Sequence, residues 1–505
     1  MANIVNIVNF VRGKEPRNRS LDLTETIREE IKLNKKYRFQ NTILFQYDAL
    51  NQPEFQPLIK EADDGTTEFG FWFEVVQPLC EKVGIKWRGR PGFEWDWHVC
   101  PGFLMSYTEA EKRLLIDEAF ENFREHFGRY PFSVGSWLLD SFSIDYMHEK
   151  YGAGAFAICR EQWGTDGYTL WGGYYNGAYY PSRENSFTPA QTEKYRVDAP
   201  VFRLLGADPI HCYYEKSPVK ARNKTGMSLH TLEPYWGCGK DESWIDWYFG
   251  TTFASENMGF GYTQMGQENS FDFLTMKDSL PMQYDYLDKA ARAGLVEVRT
   301  LGDTARMFHD KYKDTPATAI TALRDWHESN CQSVWYNCKN YRLNLYEADG
   351  KVSIRDLNKF DETYRDRLLD HPATENEATY DNLPVMDGLR FTDETTEAGI
   401  FLGDGSILSV CRDDGENADE LIIRTLIDRK VIKIFVSPGK IAFESAEDFS
   451  LRFSAKKDCP DIAGHDEKGI NFCPNSYRYR LEAEVGRFDG QSFLSDEKKI
   501  VLILK

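Results

Sequence analysis

The sequence predicts an α/β protein in which a parallel (β/α) barrel of seven or eight strands precedes an all-β, sandwich-like C-terminal domain. Short β-branched runs alternate with helical patterns over roughly residues 1–300. From about Gln332 the helical patterns thin out and short alternating runs take over. Polar residues also stand where the predicted parallel strands end. We therefore expect a barrel domain at 1–330 and a β-sandwich domain at 331–505.

The barrel strands are predicted from apolar runs that are bounded by turn or helix signals. The clearest helix between them begins at Thr108, which forms a capping box with Glu111, and ends at Gly128. The predicted strands are Ile4–Phe10, Thr42–Gln46, Phe69–Phe73, Phe132–Leu139, Ala155–Cys159, Pro200–Leu205, Phe260–Met265 and Leu295–Thr300.

The C-terminal part is predicted to form hairpins. Its alternating runs are separated by turn sequences such as Asp349-Gly350 and Asp404-Gly405. No Pro/Ser-rich linker separates this part from the barrel. We therefore expect the two domains to be docked against each other.

Composition restricts the classes of partner. The 505-residue chain has a formal net charge of −19 and a pI near 5.1, which argues against nucleic acid or an anionic membrane as a partner. The N-terminus shows no signal-peptide pattern, so we expect a cytoplasmic protein. The ten cysteines form no C-x2-C pair and are expected to be reduced. We predict no cofactor and leave open assembly into a homo-oligomer.

The stretch 163–191 (WGTDGYTLWGGYYNGAYYPSRENSFTPAQ) combines aromatic, glycine and polar residues. Glycines allow a backbone to approach a ligand closely, and aromatic faces beside carboxylates and amides suit a sugar ring. Trp163, Asp166, Trp171 and Tyr175 are therefore candidate sugar-binding residues. The alternative is an aromatic loop that packs over the end of the barrel.

The carboxyl ends of the strands in a parallel barrel gather reactive groups at one mouth. Six carboxylates and two arginines are predicted there. Clustered carboxylates can separate the pKa values of an acid and a base. The alternative is that individual residues, such as Asp48 and Asp208, only cap the following helices. The predicted group is Asp48, Glu74, Asp140, Arg160, Asp166, Arg203, Asp208 and Glu268.

Two of the strand ends carry a family resemblance. Phe45-Gln46-Tyr47-Asp48 and Val134-Gly135-Ser136-Trp137-Leu138-Leu139-Asp140 resemble the (β/α)7-barrel superfamily of polysaccharide deacetylases and family 57 and 38 glycoside hydrolases, over about residues 3–300. For the hydrolase branch the resemblance implies a carboxylate nucleophile after strand four and a carboxylic acid after strand seven. Asp140 and Glu268 stand at those places, although the family 57 nucleophile is a glutamate.

The deacetylase branch implies a different ligand set. It would carry an Asp-Asp pair after strand two and an H-x3-H or H-x4-H pair for a divalent metal, whereas Asp48 precedes Ala49 and no such histidine pair occurs. His98, beside Asp96, is interpreted as a substrate-facing residue, and no metal ligand is predicted.

The sequence therefore favours a glycoside hydrolase that acts on an oligo- or polysaccharide. Asp140 is the expected nucleophile or base and Glu268 the expected acid, with the roles open to exchange or to replacement by Glu74 or Asp166. Arg160, Arg203, Asp96 and His98 would hold hydroxyls or a substrate carboxylate, and Trp72, like Trp163, Trp171 and Tyr175, would stack on the sugar. The alternatives are a metal-dependent deacetylase and a catalytically silent carbohydrate-binding protein.

Overall fold

The structure is a computed structural model, and it describes residues 3–165, 167–214, 230–413, 415 and 417–505. Strands and helices alternate through its first part. The strands are β1 (Asn3–Val11), β2 (Asn41–Phe45), β3 (Thr67–Trp72), β4 (Ser133–Gly135), β5 (Ala155–Cys159), β6 (Gln162–Thr165), β7 (Tyr168–Leu170), β8 (Ala178–Tyr179), β9 (Pro181–Ser182), β10 (Asn185–Pro189), β11 (Val201–Leu204), β12 (Gly261–Met265) and β13 (Glu297–Arg299).

Helices cover the same part of the chain. They are α1 (Glu25–Tyr37), α2 (Tyr47–Leu50), α3 (Gln56–Ala62), α4 (Gln77–Lys82), α5 (Val99–Gly102), α6 (Glu109–Phe127), α7 (Ser141–Tyr151), α8 (Glu242–Thr252), α9 (Ser279–Arg292) and α10 (Leu301–Lys311). Short 3-10 turns lie at Leu104–Ser106, Cys212–Tyr214, Cys238–Lys240 and Phe273–Thr275. The predicted capping box is present, because the Thr108 hydroxyl accepts from Glu111 N and the Glu111 carboxylate accepts from Thr108 N.

The first sheet is parallel and curled. Its strands run in the order β12-β1-β2-β3-β4-β5-β11, with β13 parallel beside the first half of β1 and β8 antiparallel beside β11. The side chain of Gln264 on β12 accepts from Leu205 N, just after β11, at 2.7 Å. The two outer strands therefore approach each other, and the carboxyl ends of the strands open on one side.

Strand four is shorter than the predicted Phe132–Leu139. The chain leaves β4 because Ser136 makes a local turn, in which its hydroxyl donates to Leu138 O at 3.0 Å and accepts from Leu138 N at 3.4 Å. Such local hydrogen bonds of a serine compete with strand pairing. The turn leads directly into Asp140, which caps α7.

The second sheet is large and antiparallel. Within the described residues it contains 16 strands. They are β14 (Thr318–Ala322), β15 (Gln332–Asn337), β16 (Tyr341–Ala348), β17 (Lys351–Lys359), β19 (Leu383–Asp387), β20 (Gly399–Arg412), β21 (Leu421–Ile427), β22 (Lys430–Ser437), β23 (Lys440–Ser445), β24 (Ser450–Ser454), β25 (Ile462–Asp466), β26 (Gly469–Phe472), β27 (Tyr479–Val485), β28 (Arg487–Phe488), β29 (Ser492–Leu494) and β30 (Lys499–Leu504). Strand β18 (Ala378–Thr379) does not belong to this sheet and pairs with β7 instead. Helix α11 (Arg367–Asp370) precedes β18 in the chain.

This second sheet folds over on itself around one core. Val334 and Leu343, near one end of the strand order, belong to the same buried cluster as Ile434 and Leu481 near the other end. Burial of this cluster is the main favourable contribution to the folding of the C-terminal part. A short 3-10 turn at Pro474–Ser476 lies between β26 and β27. No helix in the described ranges combines the length and apolar character needed to cross a bilayer.

Stretch 163–191 lies between the two sheets. It contains five short strands, β6 to β10, which the sequence did not predict. Tyr175 stacks on Trp335 of the second sheet with ring centroids 3.7 Å apart and planes 4° from parallel. Trp171 is buried and donates from its indole to Asp387 at 3.2 Å. These rings therefore join the two parts of the molecule by packing.

Candidate functional site

An arginine at the mouth of the curled sheet holds two carboxylates. Arg12 follows β1 and donates to Glu74 from Nε at 2.8 Å and from Nη2 at 2.7 Å. Its Nη1 donates to Glu268 at 2.6 Å and to the hydroxyl of Ser270 at 2.8 Å. Both carboxylates and the guanidinium are buried. Burial lowers the pKa of Arg12, but Glu268 and Glu74 outweigh it and hold this pKa above its ordinary value.

The backbone around Arg12 explains why residues so distant in sequence meet. Asn269, in the loop after β12, accepts from Arg12 N at 2.8 Å and donates to Arg12 O at 2.9 Å. Gln46, at the end of β2, donates to Glu74 at 2.9 Å. The ends of β1, β2, β3 and β12 are thus tied into one polar group, as expected for neighbouring parallel strands.

Aromatic and cationic side chains cover this group. The guanidinium of Arg12 lies 4.1 Å from the ring centre of Trp95. Arg17 lies over both Trp95 and Trp97, at 5.0 and 5.1 Å. Cation–π contacts of this kind are stronger where water is excluded, as it is at the buried Trp95.

Asp96 and His98 belong to the same cover. Asp96 accepts hydrogen bonds from Nε and Nη2 of Arg90, each at 2.9 Å. The Oδ1 atom of Asp96 also lies 2.8 Å from Nδ1 of His98. The hydrogen bond with Arg90 and the nearby charges lower the pKa of Asp96, although burial opposes them. Asp96 is therefore an ionised anchor that orients His98, whose ring stacks on Trp97.

Asp48 lies beside the Arg12 loop in a different environment. It is buried, and its Oδ1 accepts from Gly13 N at 3.3 Å. Its Oδ2 has no hydrogen-bond partner within the part of the chain that the structure describes. Burial raises the pKa of Asp48 to about 6, against the lowering effect of the Gly13 hydrogen bond. This carboxyl of the mouth therefore keeps its proton to a higher pH than an ordinary aspartate does.

Asp140 lies in a network of its own. Its Oδ1 accepts from Ser143 N at 3.0 Å, its Oδ2 accepts from the Ser143 hydroxyl at 2.9 Å, and Lys112 Nζ of α6 lies 3.0 Å from Oδ2. Asp140 is fully buried. These contacts are those of an N-cap residue with an ion pair, and they share no partner with Glu268 among the contacts in the described residues.

The predicted arginines lie at the junction of the two sheets. Arg203 is fully buried and donates to Cys159 O at 2.7 Å, to Tyr174 O at 2.9 Å and to Glu161 at 3.1 Å. Arg342 of β16 donates to the same Glu161 at 2.5 Å. Arg160 donates to the Glu161 carbonyl at 2.7 Å.

Two further predicted residues pack against other aromatic rings. Trp163 lies against Trp171 with ring centroids 5.8 Å apart and under Arg390 at 5.5 Å. Trp72, expected to stack on a sugar, instead stacks on Phe10 at 3.9 Å in the core. Asp166 lies outside the described residues.

Asp208 caps a turn after β11. Its Oδ1 accepts from Ile210 N and His211 N at 2.8 and 3.0 Å, and its Oδ2 accepts from the indole of Trp244 at 3.2 Å. The next turn brings His211 Nε2 within 2.8 Å of Asp325. Burial, followed by the nearby charge of His211, lowers the pKa of His327 to about 4.

The ligand set of the deacetylase branch does not match this mouth. Asp48 has no second aspartate beside it, and Nδ1 of His98 lies on Asp96 rather than on a shared ligand position. A zinc site needs three or four ligands around one point. The residues at the ends of β1, β2, β3 and β12 therefore form a carboxylate–arginine site and do not reproduce the metal site of that branch.

Comparisons with known proteins bear on the fold. A structure from Parabacteroides distasonis, provisionally assigned as a glycoside hydrolase/deacetylase, matches with a TM-score of 0.52 at 17% identity, over 76% of this chain and 89% of that chain. The chain therefore shares its overall fold with that structure. No protein-family model matches the sequence, and no curated protein matches it.

Two more distant structures bear related descriptions. One, from Mycobacterium smegmatis and provisionally assigned as a polysaccharide deacetylase, has a TM-score of 0.37 at 12% identity and covers 64% of this chain and 94% of that chain. The other is a family 57 branching enzyme from Thermococcus kodakaraensis, with a TM-score of 0.31 at 10% identity over 62% of this chain and 71% of that chain. Both scores are too low to carry an argument.

The sequence interpretation missed the central residue of the mouth. Arg12 directly follows the first predicted strand, so its place at a strand end was a usable signal. Glu161 and Arg342 were also missed, because their ion pair joins residues 181 positions apart. No local pattern signals such a contact.

Proposed function

We propose that the protein is a glycoside hydrolase that cleaves a glycosidic bond of an oligo- or polysaccharide at the mouth of the curled sheet. The observation that carries the proposal is the meeting of Glu74 and Glu268 on Arg12 beside Asp48, whose pKa burial raises to about 6. Glycosidic cleavage needs one protonated carboxyl and one ionised carboxylate. The fold shared with a provisionally assigned glycoside hydrolase/deacetylase supports the same class.

Each carboxyl receives a role from its surroundings. Glu268 accepts hydrogen bonds from Arg12 at 2.6 Å and from the Ser270 hydroxyl at 2.5 Å, which fix its carboxyl group in place, and it acts as nucleophile or base. Asp48 has a pKa of about 6 and an Oδ2 with no partner among the described residues, so it acts as the acid. Glu74 fixes the guanidinium through two hydrogen bonds and is a positioning residue.

The proposal changes one role assigned from the sequence. Asp140 was expected as nucleophile or base, and its contacts with Ser143 and Lys112 support a structural role instead. Glu268 stays in the catalytic pair, but as the nucleophile or base.

A cleft runs along the loop that follows β1. It has a volume of about 410 Å³ and is lined by Gly13, Glu15 and Gln52 among others. Its lining of carboxylate, amide and backbone groups matches the hydroxyls of a sugar.

The test is an activity screen with matched variants. Purified protein is assayed on oligo- and polysaccharides for new reducing ends and on acetylated polysaccharides for acetate. We expect reducing ends, and we expect Glu268→Gln and Asp48→Asn each to lower kcat by about 10²–10⁴-fold. Glu109→Gln is the control, since Glu109 pairs with the exposed Arg113 on α6 and neither residue lines the cleft or contacts the Arg12 group.

The other outcomes decide between classes. Acetate release without reducing ends would assign the deacetylase chemistry and overturn the hydrolase proposal. If the protein binds a sugar but releases neither reducing ends nor acetate, and if Glu268→Gln and Asp48→Asn bind that sugar as tightly as the wild type, the protein is a carbohydrate-binding protein.

A further inference from the structure

Two histidines and a cysteine converge away from the Arg12 group. His230, Cys238 and His327 offer nitrogen and sulfur atoms that all lie within 4.8 Å of one another. His230 and Cys238 are fully buried, and His327 is partly buried. The residues come from two separate loops, one after β11 and one between β14 and β15.

The backbone fixes His230 and Cys238 side by side. His230 O accepts from Asp208 N at 2.9 Å, and Leu232 N donates to Gly206 O at 2.9 Å, so this segment runs along the end of β11. A turn then returns the chain, and Gly239 N donates to Thr231 O at 2.9 Å. The amide of Gln283 donates to Leu232 O and Gly239 O at 2.7 and 2.8 Å and so clamps both arms of the turn.

A separate carboxylate fixes the backbone at His327. Asp325 accepts from His327 N at 2.9 Å and lies 2.8 Å from Nε2 of His211. The hydroxyl of Ser329 also donates to Asp325. Nε2 of His327 is buried and has no hydrogen-bond partner within the described residues. A buried ring nitrogen in that state is unfavourable unless something binds it.

A thiolate with two imidazoles is a ligand set that zinc prefers. Bond lengths of about 2.0–2.3 Å place the ligand atoms of a tetrahedral zinc site roughly 3.3–3.6 Å apart. Atoms already within 4.8 Å reach that spacing through small side-chain rotations. We propose that His230, Cys238 and His327 bind one Zn²⁺, which fastens the β14–β15 connection to the loop that follows β11.

This site differs from the carboxylate site in its ligand atoms and in its expected effect on stability. His211 and Asp325 are paired at 2.8 Å beside this site, and Asp325 also accepts from the backbone nitrogen of His327, which positions that residue. The bound ion would join the curled sheet to the start of the antiparallel sheet. Because the unfolded chain lacks a preformed site, zinc binding adds to the stability of the folded chain.

The test measures metal binding directly on the full-length protein. The chain is stripped with a chelator, titrated with Zn²⁺ and Co²⁺, and followed by metal content, by thiolate–Co²⁺ charge-transfer absorption and by Tm. We expect one Zn²⁺ per chain, a thiolate–Co²⁺ band and a Tm that rises with Zn²⁺. Cys238→Ser is expected to lose the band and the Zn²⁺-dependent rise in Tm.

Two controls keep the result interpretable. Cys331→Ser changes another buried thiol near the β14–β15 connection, bonded to Ser329 O at 3.7 Å, and should keep the band. Glu74→Gln alters the carboxylate site and should leave zinc binding unchanged, so the two proposals can fail separately. If Cys238→Ser is unfolded, His327→Ala replaces it. No Zn²⁺ on the wild type, or the same band and Tm response in Cys238→Ser or His327→Ala, would overturn the inference.

Discussion

Arg12 and Glu74 form a two-hydrogen-bond ion pair, at 2.8 and 2.7 Å, in which both side chains are buried. The pair lies 62 residues apart in sequence and joins the ends of β1 and β3. Glu268 occupies the remaining edge of the same guanidinium. The geometry of the mouth therefore depends on one arginine.

Replacing Arg12 tests that dependence. Arg12→Met leaves two carboxylates buried without their cation, so we expect a loss of about 3–5 kcal/mol in the free energy of unfolding. Urea unfolding measures it. Arg19→Met, which removes an exposed pair with Glu94, is expected to cost about 1 kcal/mol or less. Equal losses in both variants would show that Arg12 does not organise the site.

Asp140→Asn separates a structural from a catalytic role. Asparagine keeps the N-cap of α7, but Lys112 loses the partner of its buried ammonium, at an expected cost of about 3–5 kcal/mol. The double variant Asp140→Asn with Lys112→Met should regain much of that stability. A folded double variant that turns over substrate supports the structural role, and a folded but inactive one would return Asp140 to the catalytic pair.

Asp48 predicts a specific dependence of stability on pH. Its folded pKa of about 6 exceeds the ordinary value of 3.8, so the folded state holds the proton more tightly. The stabilisation is complete below about pH 4 and is lost as pH rises through 6, by about 3 kcal/mol in total. Asp48→Asn should remove this slope when unfolding is measured across that window. An unchanged slope would refute the assignment.

The same carboxyl should shape the activity profile. If Asp48 is the acid, kcat/KM falls as pH rises above about 6, because the donor proton is lost. Asp366, whose pKa is also raised by burial to about 6, lies near Asp140 rather than in the Arg12 group. Asp366→Asn is therefore the matched control, and we expect its kcat/KM to fall over the same pH range as that of the wild type.

Tyr175 tests the interpretation of stretch 163–191. Its ring is sandwiched against Trp335, so Tyr175→Ala should cost about 3–5 kcal/mol without a direct effect on sugar affinity. Trp163→Ala, at a partly buried position, should cost less. Differential scanning calorimetry and sugar titration measure both effects. A stable Tyr175→Ala protein with lost sugar affinity would restore the binding role predicted from the sequence.

Much of the parallel sheet was predictable because its strands are buried on both faces and appear as apolar runs. The predicted Ala155–Cys159 coincides with β5, and the predicted Phe260–Met265 differs from β12 by one residue. The shortening of strand four was not predictable, because it depends on the turn made by the Ser136 hydroxyl. The carboxylates of the mouth were predicted from their place at strand ends.

The partners of those carboxylates were not predictable. Glu268 meets Arg12 across 256 residues, and Asp140 meets Lys112 from a neighbouring helix. A sequence shows which residues are acidic, but not which cation neutralises each one. The proposed zinc site was hidden for the same reason, since His327 lies 97 positions after His230 in the numbering of the sequence and no short spacing joins them.

The most direct measurement of the central claim is chemical rescue of a Glu268 variant. Glu268→Ala, shown to be folded by its Tm, should lose turnover on the substrate found in the screen, and added azide should restore it with formation of a glycosyl azide. That product is expected because a small anion takes the place of the missing carboxylate at the anomeric carbon. A folded Glu268→Ala protein that releases reducing ends at the wild-type rate without azide would contradict the account.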